Sequence, residues 1–458
     1  MTDNREIVLE ALLLHDKGEY ADKIIKNILD KYSYLERFER SFINRVFTGT
    51  IERKLYLDFI INNFSSVKVN KQKPVIRAIL RMSTYQILFM DSVPDSAAIN
   101  EAVKLAKKKK FAGLSGFVNG VLRKIAKENT NVAFPKKDVE PVKYLSIMYS
   151  APEWLCEHFI SETDLETAEK ILANSIVKRP VIVRTNISKT TPSELKSELV
   201  SDGVKVTELT MSDSAFIIDD IDGLSSINSF NDGMFCVQDL SSQSVLNVKL
   251  SENLASEIFG NMKTEEAENK LTEIIKTSNF VIDVCAAPGG KTCHIADLLQ
   301  YYKNDSCRVI SRDLTDSKAD KIDDNISRCG FENVETEVWD ALTLDESLIG
   351  KADLVIADLP CSGLGVIGRK ADIKYRVTKD ELSQLANLQK DILRVVSQYV
   401  KPGGILIYST CTVNRLENID NAKWIKSELN FTPLGNAVQL LNVSSENDGF
   451  FISRFIKN

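Results

Sequence analysis

Residues 279–302 read NFVIDVCAAPGGKTCHIADLLQYY, which is an apolar run rich in β-branched residues, a turn with two glycines and a helical segment. Gly289 and Gly290 let the backbone approach a ligand closely, and the helix that follows offers unpaired N–H groups to an anion. Such a unit indicates a nucleotide-binding α/β fold, although many ligand-binding families share a glycine turn. Pro288 and the glycine spacing exclude the phosphate-binding G-x-x-x-x-G-K-[ST] loop.

The same alternation continues to the end of the chain. The runs CRVISRD, VETEVWD, ADLVIADLP and GGILIYST predict further strands, and segments such as DSKADKIDDNISRCG and DELSQLANLQKDILRVVSQYV predict helices between them. Strands separated by helices of this length form a parallel, doubly wound, Rossmann-like sheet. Ligands of such sheets bind at the carboxyl ends of the strands, so we expect the functional residues there.

The chain before this region follows other patterns. Residues 1–128 repeat apolar residues at helical spacing and predict an all-α domain. Residues 129–143 combine two prolines with mixed charges and predict a linker. Residues 144–232 alternate helices and strands and predict a small α/β connector domain. Residues 233–458 form the predicted catalytic domain, with a polar insertion at about residues 251–277.

Charge is distributed unevenly along the chain. The 458 residues carry a net charge of −6, which by itself argues against a nucleic-acid partner. Residues 1–128, however, contain 23 Lys and Arg against 15 Asp and Glu, whereas the remainder contains 35 against 49. This asymmetry indicates contact with nucleic acid through the basic part. A solvated basic surface without a partner is the alternative.

The sequence predicts neither a membrane segment nor a metal site. No apolar run approaches the roughly 20 residues that cross a bilayer, and the N-terminus lacks the pattern of a signal peptide. We therefore expect a cytoplasmic protein without a membrane partner. The eight cysteines include no C-x-x-C pair, and the three histidines are scattered, so we expect free thiols and no bound metal.

Three successive predicted strands end in an aspartate, and these residues are candidates for binding a cofactor. Asp313 follows the glycines by about 20 residues, where an acidic residue can accept hydrogen bonds from ribose hydroxyls. Asp340 and Asp358 end the next two strands. Any one of them could be a helix cap instead, but that explanation is harder to sustain for all three.

Two cysteines also follow strand ends, Cys361 in ADLPCSGLG and Cys411 in YSTCTV. A thiolate that adds to C6 of cytosine breaks the aromaticity of the ring and makes C5 able to accept a methyl group, so covalent catalysis replaces one hard step by two easier ones. Enzymes that methylate exocyclic amines need no thiol and typically carry an Asn/Asp-Pro-Pro-aromatic turn. This chain has Asp-Leu-Pro-Cys there. The cysteines within predicted helices or strands are expected to be inert apolar residues.

DVCAAPGGKT, DLPCSGLG and STCTV, in this order, resemble the motifs of the nucleolar-protein/Sun family of RNA 5-methylcytosine methyltransferases. QDLSSQ before the core and DGFFISRF at the end resemble the same family. INRVFTGTIERK and FVNGVLRKI resemble the NusB RNA-binding fold. The fusion of the two parts is similar to bacterial family members that act on small-subunit ribosomal RNA, and the resemblance covers nearly the whole chain.

The resemblance implies S-adenosyl-L-methionine as the cofactor, Cys411 as the nucleophile and Cys361 as the residue that assists product release. The implied cofactor-binding residues are Cys285, Ala286, Ala287, Pro288, Gly289, Gly290, Lys291, Asp313, Asp340 and Asp358. The predicted RNA contacts lie in RKADIKYR and are Arg369, Lys370, Lys374 and Arg376. The family's usual Pro-Asp-Ile-Lys-Trp is Ala-Asp-Ile-Lys-Tyr in this segment.

The sequence therefore predicts a 16S rRNA cytosine-C5 methyltransferase, a monomer that acts on unassembled or partly assembled ribosomal RNA. Two alternatives stay open. The same chemistry could act on transfer RNA or another ribosomal site, or the chain could be an RNA-binding assembly or antitermination factor with a vestigial catalytic part. The paired thiols and strand-end aspartates speak against the last alternative, because a binding module has no need of them.

Overall fold

A computed structural model describes residues 3–209, 212–219, 221, 223–246 and 264–458. The chain divides into two compact units. Unit 1 comprises Met1–Val177 and Ile367–Arg376, and unit 2 comprises Lys178–Val366 and Val377–Asn458. The division at Val177 falls inside the predicted connector, so that its first helices belong to unit 1 and its strands belong to unit 2.

Unit 1 is helical, as the spacing of its apolar residues predicts. Its helices are α1 (Asn4–His15), α2 (Ala21–Lys31), α3 (Arg37–Glu52), α4 (Lys54–Phe64), α5 (Pro74–Phe89), α6 (Asp95–Lys108), α7 (Ser115–Glu128), α8 (Pro141–Met148), α9 (Glu153–Glu162) and α10 (Leu165–Asn174), with a short helix at Ile373–Arg376. The stretch 40–64 reads as one helical run, but the chain turns at Arg53 and forms α3 and α4. α5 is buried along most of its length because α1, α3, α4, α6 and α7 all pack against it.

The segment Ile367–Arg376 joins unit 1 although it interrupts the sequence of unit 2. Asp372 accepts a hydrogen bond from the backbone N–H of Ala21 at 3.1 Å, and Nε2 of His15 lies 3.6 Å from its carboxylate. The hydroxyl of Tyr375 donates to the carbonyl of Ser150 at 2.8 Å. These contacts tie the segment to the start of α2, the end of α1 and the turn before α9.

Unit 2 contains two sheets. The small antiparallel sheet has the order β2-β3-β1-β4 and consists of β1 (Val181–Thr185), β2 (Lys205–Leu209), β3 (Ser212–Asp219) and β4 (Phe235–Val237). The large sheet consists of β5 (Phe280–Val284), β6 (Arg308–Asp313), β7 (Val334–Val338), β8 (Ala352–Asp358), β9 (Val400–Thr410), β10 (Phe431–Pro433), β11 (Val438–Leu440) and β12 (Phe450–Lys457). The helices are α11 (Pro192–Ser201), α12 (Asn228–Asn231), α13 (Leu240–Gln243), α14 (Thr264–Thr277), α15 (Gly290–Tyr301), α16 (Asp316–Cys329), α17 (Lys379–Val396) and α18 (Ile419–Glu428).

The large sheet has the order β10-β12-β9-β8-β5-β6-β7, with β11 paired to β12. The five strands from β5 to β9 run parallel, which confirms the predicted doubly wound fold. β12 pairs antiparallel with β9, so the sheet is mixed, a feature that the strand-helix alternation did not predict. The chain leaves β5 through β6 and β7 and returns on the other side of β5 as β8. Ligands bind at such a switch point.

The predicted insertion at about residues 251–277 is described only in part. Residues 251–263 lie outside the described residues, and the remainder of the insertion forms α14. In the described part of the chain, no helix has the length and apolar character that crossing a membrane requires.

Candidate active site

The turn between β5 and α15 requires glycine. Gly289 has a φ of 97°, in the left-handed region, and a Cβ there would lie 3.3 Å from the Cα of Ile322. The N–H of Gly289 donates to the carbonyl of Ala286 at 2.7 Å and closes the turn. The turn therefore brings the amino end of α15 to the carboxyl edge of the sheet.

An open pocket lies at this edge, where the ligands of doubly wound sheets bind. Seven of the ten predicted cofactor-binding residues line it, namely Cys285, Ala286, Ala287, Pro288, Gly290, Lys291 and Asp358. The other lining residues are Val237, Gln238, Asp239, Ser242 and Asp283. Gln238, Asp239 and Ser242 belong to the QDLSSQ motif, which therefore forms one wall of the pocket. The sequence predicts no role for this motif beyond the family resemblance.

Asp283 in β5 is a candidate that the sequence analysis missed, because it considered only aspartates at strand ends. The side chain is fully buried, and its Oδ2 accepts a hydrogen bond from the hydroxyl of Thr292 at 2.6 Å. Its Oδ1 has no partner among the described residues. Burial raises the pKa of Asp283 to about 7, against the opposing effects of the Thr292 hydroxyl and the Lys291 charge. The sequence signal was an acidic residue inside an otherwise apolar strand.

Asp313 and Asp340 lie outside the lining of the pocket. Asp313 ends β6, is buried, and accepts hydrogen bonds from the backbone N–H of Ala287 at 2.9 Å and from Lys318 at 2.8 Å. It therefore holds the glycine turn in place. Asp340 is exposed and accepts from the N–H of Leu342 at 3.0 Å, which closes its own turn.

Lys291 and Asp358 form an ion pair in the wall of the pocket. Nζ of Lys291 lies 2.5 Å from Oδ2 of Asp358 and also donates to the hydroxyl of Ser242 at 3.1 Å. The hydroxyl of Ser409 donates to Oδ1 of Asp358 at 2.9 Å. These hydrogen bonds fix the carboxylate of Asp358 in position. Because the carboxylate is only partly buried, it is still open to a ligand.

The sulfur atoms of Cys361 and Cys411 lie 3.3 Å apart. The two cysteines follow β8 and β9, which are parallel neighbours and pair Asp358 with Ser409. The turns after these strands therefore leave the sheet side by side. A hydrogen bond with Cys411 and burial raise the pKa of the Cys361 thiol well above its ordinary value.

Glu417 is fully buried and connects the two cysteine turns. Its carboxylate accepts hydrogen bonds at 2.5–3.0 Å from the backbone N–H and hydroxyl of Ser362, from Nε2 of Gln389 and from Nδ2 of Asn414. The hydroxyls of Ser362 and Thr412 are 2.7 Å apart. Because each of these two residues directly follows one of the cysteines, the network sets the distance between the thiols.

The four basic residues predicted to contact RNA belong to unit 1. Arg369 and Lys370 are exposed. Lys374 is only 1% exposed, donates to the carbonyl of Tyr149 at 3.1 Å, and has its pKa lowered to about 7 by burial. Arg376 donates to the carbonyl of Gly18 at 3.0 Å. The burial of Lys374 argues against its predicted contact with phosphate, because the packing of unit 1 covers its ammonium group.

The parallel strands β5 to β9 with antiparallel β12 at one side, and a ligand pocket at the switch point, are the architecture of a Rossmann-like methyltransferase. Comparison with known families identifies the chain more closely. Residues 274–456 match the family described as 16S rRNA methyltransferase RsmB/F, residues 2–127 match the NusB family, and residues 151–221 match the ferredoxin-like domain of RsmF/B-like methyltransferases.

The chain is 34% identical to the probable ribosomal RNA small subunit methyltransferase B of Bacillus subtilis, over 91% of this chain and 86% of that protein. It is 29% identical to the probable ribosomal RNA small subunit methyltransferase B of Synechocystis, over 98% of both chains. This chain belongs to the 16S rRNA methyltransferase RsmB/F family.

The fold is also that of a solved structure. The crystal structure of PH0851 covers 100% of this chain at a TM-score of 0.75 and 22% identity. The family, the fold class and the rRNA methyltransferase activity that the sequence predicts are thus confirmed. The roles of individual residues stay predictions.

Proposed function

We propose that the protein transfers a methyl group from S-adenosyl-L-methionine to C5 of a cytosine in 16S ribosomal RNA through a covalent bond between Cys411 and C6 of the base. The observation that carries this proposal is the 3.3 Å separation of the thiols of Cys361 and Cys411 at adjacent strand ends. Methylation of an exocyclic amine would need neither thiol, whereas methylation of C5 needs a nucleophile at C6.

The pocket residues fit S-adenosylmethionine. The unpartnered Oδ1 of Asp283 suits an ammonium group, and the amino end of α15 suits a carboxylate, the two charges of the cofactor's methionine part. We assign the seven predicted residues that line the pocket to direct contact and Asp313 to holding the turn through Ala287, while the contact of Asp313 with the ribose and that of Asp340 with the cofactor stay predictions. The bound cofactor would supply an electrophilic methyl group. The chain's task is to orient it and to exclude water.

Cys411 starts the reaction when its thiol proton passes to solvent, the thiolate sulfur bonds to C6 and the C5–C6 electron pair becomes available at C5. After C5 has taken the methyl group, its proton passes to a base, the electron pair re-forms the double bond and the S–C6 bond breaks. The raised pKa keeps the proton on Cys361. Cys361 therefore donates its hydrogen bond to the departing sulfur of Cys411 and assists release.

Asp358 supports the base during this sequence. Negative charge develops on the ring as the thiolate adds, and the Asp358 carboxyl group stabilises it at N3 by donating the proton that it takes from the ammonium group of Lys291. Lys291 and Ser409 hold the Asp358 carboxyl group at the strand end that precedes Cys361. The group is thus pre-oriented, so little reorganisation accompanies the addition step.

The NusB-family match over residues 2–127 and the basic excess of residues 1–128 support an RNA substrate bound through this part of the chain. The names of the bacterial relatives support the small-subunit RNA. We propose that the enzyme acts as a monomer in the cytoplasm on 16S RNA that is unassembled or partly assembled.

Bisulfite sequencing of total RNA from cells with and without the gene tests the substrate. We expect one methylated cytosine of 16S RNA to disappear and to return with the intact gene but not with Cys411→Ala. A position lost from transfer RNA or from the large subunit would redirect the proposal to that substrate. No lost position would favour a vestigial catalytic part.

Purified variants test the roles of the thiols. Incubation of Cys361→Ala with RNA and cofactor should accumulate an RNA–protein band that survives denaturing electrophoresis, because the adduct forms but is released slowly. Cys411→Ala should give no band and no methylation. Cys307→Ala, a buried cysteine remote from the strand ends, should behave as the unchanged protein. A band with Cys411→Ala and none with Cys361→Ala would reverse the assignment.

A further inference from the structure

Three cysteines that the proposed reaction does not use lie together in unit 2. Cys236 is on β4, Cys293 is in the first turn of α15 and Cys329 ends α16. All three side chains are buried, and their sulfur atoms lie within 4.8 Å of one another. The sulfur atoms of Cys236 and Cys329 are 3.5 Å apart. The sequence predicts no metal site, because these residues are far apart in the chain.

The spacing of the sulfur atoms is that of metal ligands. A zinc ion that binds thiolates at about 2.3 Å in tetrahedral geometry places its sulfur ligands about 3.8 Å apart. The 3.5 Å between the sulfur atoms of Cys236 and Cys329 is close to this spacing, and no two of the three sulfur atoms are more than 4.8 Å apart.

The groups around the cluster are hydrogen-bond donors directed at sulfur. Nδ2 of Asn186 lies 3.4 Å from the sulfur of Cys329 and 3.7 Å from that of Cys236, and Nη2 of Arg328 lies 3.8 Å from Cys236. Thiolate ligands of metal ions take such N–H donors as outer partners.

The charges near the cluster balance for a divalent ion. Arg184 is paired with Asp297 at 2.7 Å. Arg328 donates to neutral acceptors, the carbonyls of Phe230 and Phe235 and the amide of Asn325, so among the described residues no carboxylate offsets its charge. Three thiolates and a divalent cation carry a net charge of −1, which Arg328 neutralises. A buried site with balanced charge avoids the desolvation cost of an unpaired ion.

We propose that Cys236, Cys293 and Cys329 form a three-sulfur site for a thiophilic divalent cation of the zinc type. Binding forms three sulfur–metal bonds and releases the thiol protons to solvent. The ion links β4, α15 and α16, and α15 carries the glycine turn of the cofactor pocket at its amino end. Because the ion joins these three elements, its occupancy should raise the temperature at which unit 2 unfolds.

Metal analysis of the full chain tests the site. The background is the double variant Cys361→Ser/Cys411→Ser, because the active-site thiols are themselves close enough to bind a metal. The protein is purified under phosphine reductant without oxygen, incubated with Zn²⁺ and freed of unbound ion. We expect one tightly bound zinc per chain by mass spectrometry and X-ray absorption with sulfur neighbours at about 2.3 Å.

Substitutions in the same background separate this site from other thiols. Cys293→Ser should lower the affinity for zinc at least tenfold and should remove most of the increase in melting temperature that zinc produces. Cys307→Ser, which replaces another fully buried cysteine of unit 2, should do neither. Equal zinc content in the Cys293→Ser chain would overturn the proposal.

The absorption spectrum of the background protein decides the question even if Cys293→Ser fails to fold. Zinc neighbours that are only nitrogen or oxygen would overturn the proposal, and so would the absence of bound zinc. A disulfide between Cys236 and Cys329 in the reduced preparation, detected by peptide mass, would also overturn it, because the oxidised sulfur atoms could not serve as thiolate ligands.

Discussion

Replacement of Glu417 by glutamine should weaken the connection between the two cysteine turns. The carboxylate is fully buried and accepts two hydrogen bonds on each oxygen, from Ser362 and Asn414 on Oε1 and from Ser362 and Gln389 on Oε2. In Glu417→Gln an amide nitrogen replaces one oxygen. In the more favourable orientation the nitrogen stands at Oε1, where the hydroxyl of Ser362 can turn and accept from it and only Nδ2 of Asn414 loses its acceptor.

The size of the effect follows from these contacts. A hydrogen bond to a charged group contributes about 1.5–3 kcal/mol, so the loss of one predicts a decrease of about 1.5–3 kcal/mol in the free energy of unfolding. The distance between the thiols should become less well defined, because the network joins the residues that follow them. We therefore expect kcat to fall while the Kd for S-adenosylmethionine stays the same, since Glu417 does not line the pocket.

Urea denaturation and single-turnover methylation measure the two effects, with cofactor affinity from calorimetry. Glu428→Gln, at the exposed end of α18, is the matched control and should change the unfolding free energy by less than about 0.5 kcal/mol. A loss of stability below about 1 kcal/mol for Glu417→Gln, together with an unchanged kcat, would refute the proposed role of the network.

Three further outcomes are expected. Asp313→Ala should weaken cofactor binding by about 1.5–3 kcal/mol in calorimetry, because a charged acceptor is lost; unchanged affinity would contradict its assignment. The pKa of Asp283 rises from 3.8 to about 7 on folding, so this group costs stability as pH increases from about 4 to about 7. Relative to that of the unchanged protein, the free energy of unfolding of Asp283→Asn should therefore rise by up to about 4 kcal/mol between pH 4 and pH 8. Its affinity for the cofactor at pH 8 should decrease. If the free energies of unfolding of the two proteins change in parallel with pH, Asp283 carries no buried charge. Lys107→Glu/Lys110→Glu, at two exposed positions, should reduce the slope of RNA affinity against salt concentration in filter assays. A slope equal to that of the Lys303→Glu control would contradict RNA binding through residues 1–128.

The sequence alone was sufficient for the five parallel strands, the glycine turn and the order of the catalytic motifs. Residues 280–284 and 352–358 are short, largely apolar runs, as is typical of parallel strands that helices cover on both faces. The turn after β5 has glycine at the position where φ is 97°, and glycine in the sequence predicts such a conformation because other residues rarely adopt it. The strand-end positions of Cys361 and Cys411 followed from the same reasoning, since parallel strands end at one edge.

Other features depend on contacts between residues distant in the chain, and no local pattern encodes them. Lys374 reads as a basic residue near the catalytic motifs, but Glu52, Arg53 and Cys156 surround it and the packing of unit 1 buries it. Glu417 lies in a polar segment of sequence, yet its hydrogen bonds reach back to Ser362. Cys236, Cys293 and Cys329 read as isolated apolar residues until β4, α15 and α16 pack together. Sequence determined which elements form, because that depends on short-range periodicity and backbone preference. The tertiary structure alone decided which side chains meet, because proximity arises from the packing of elements whose order in space differs from their order in the chain.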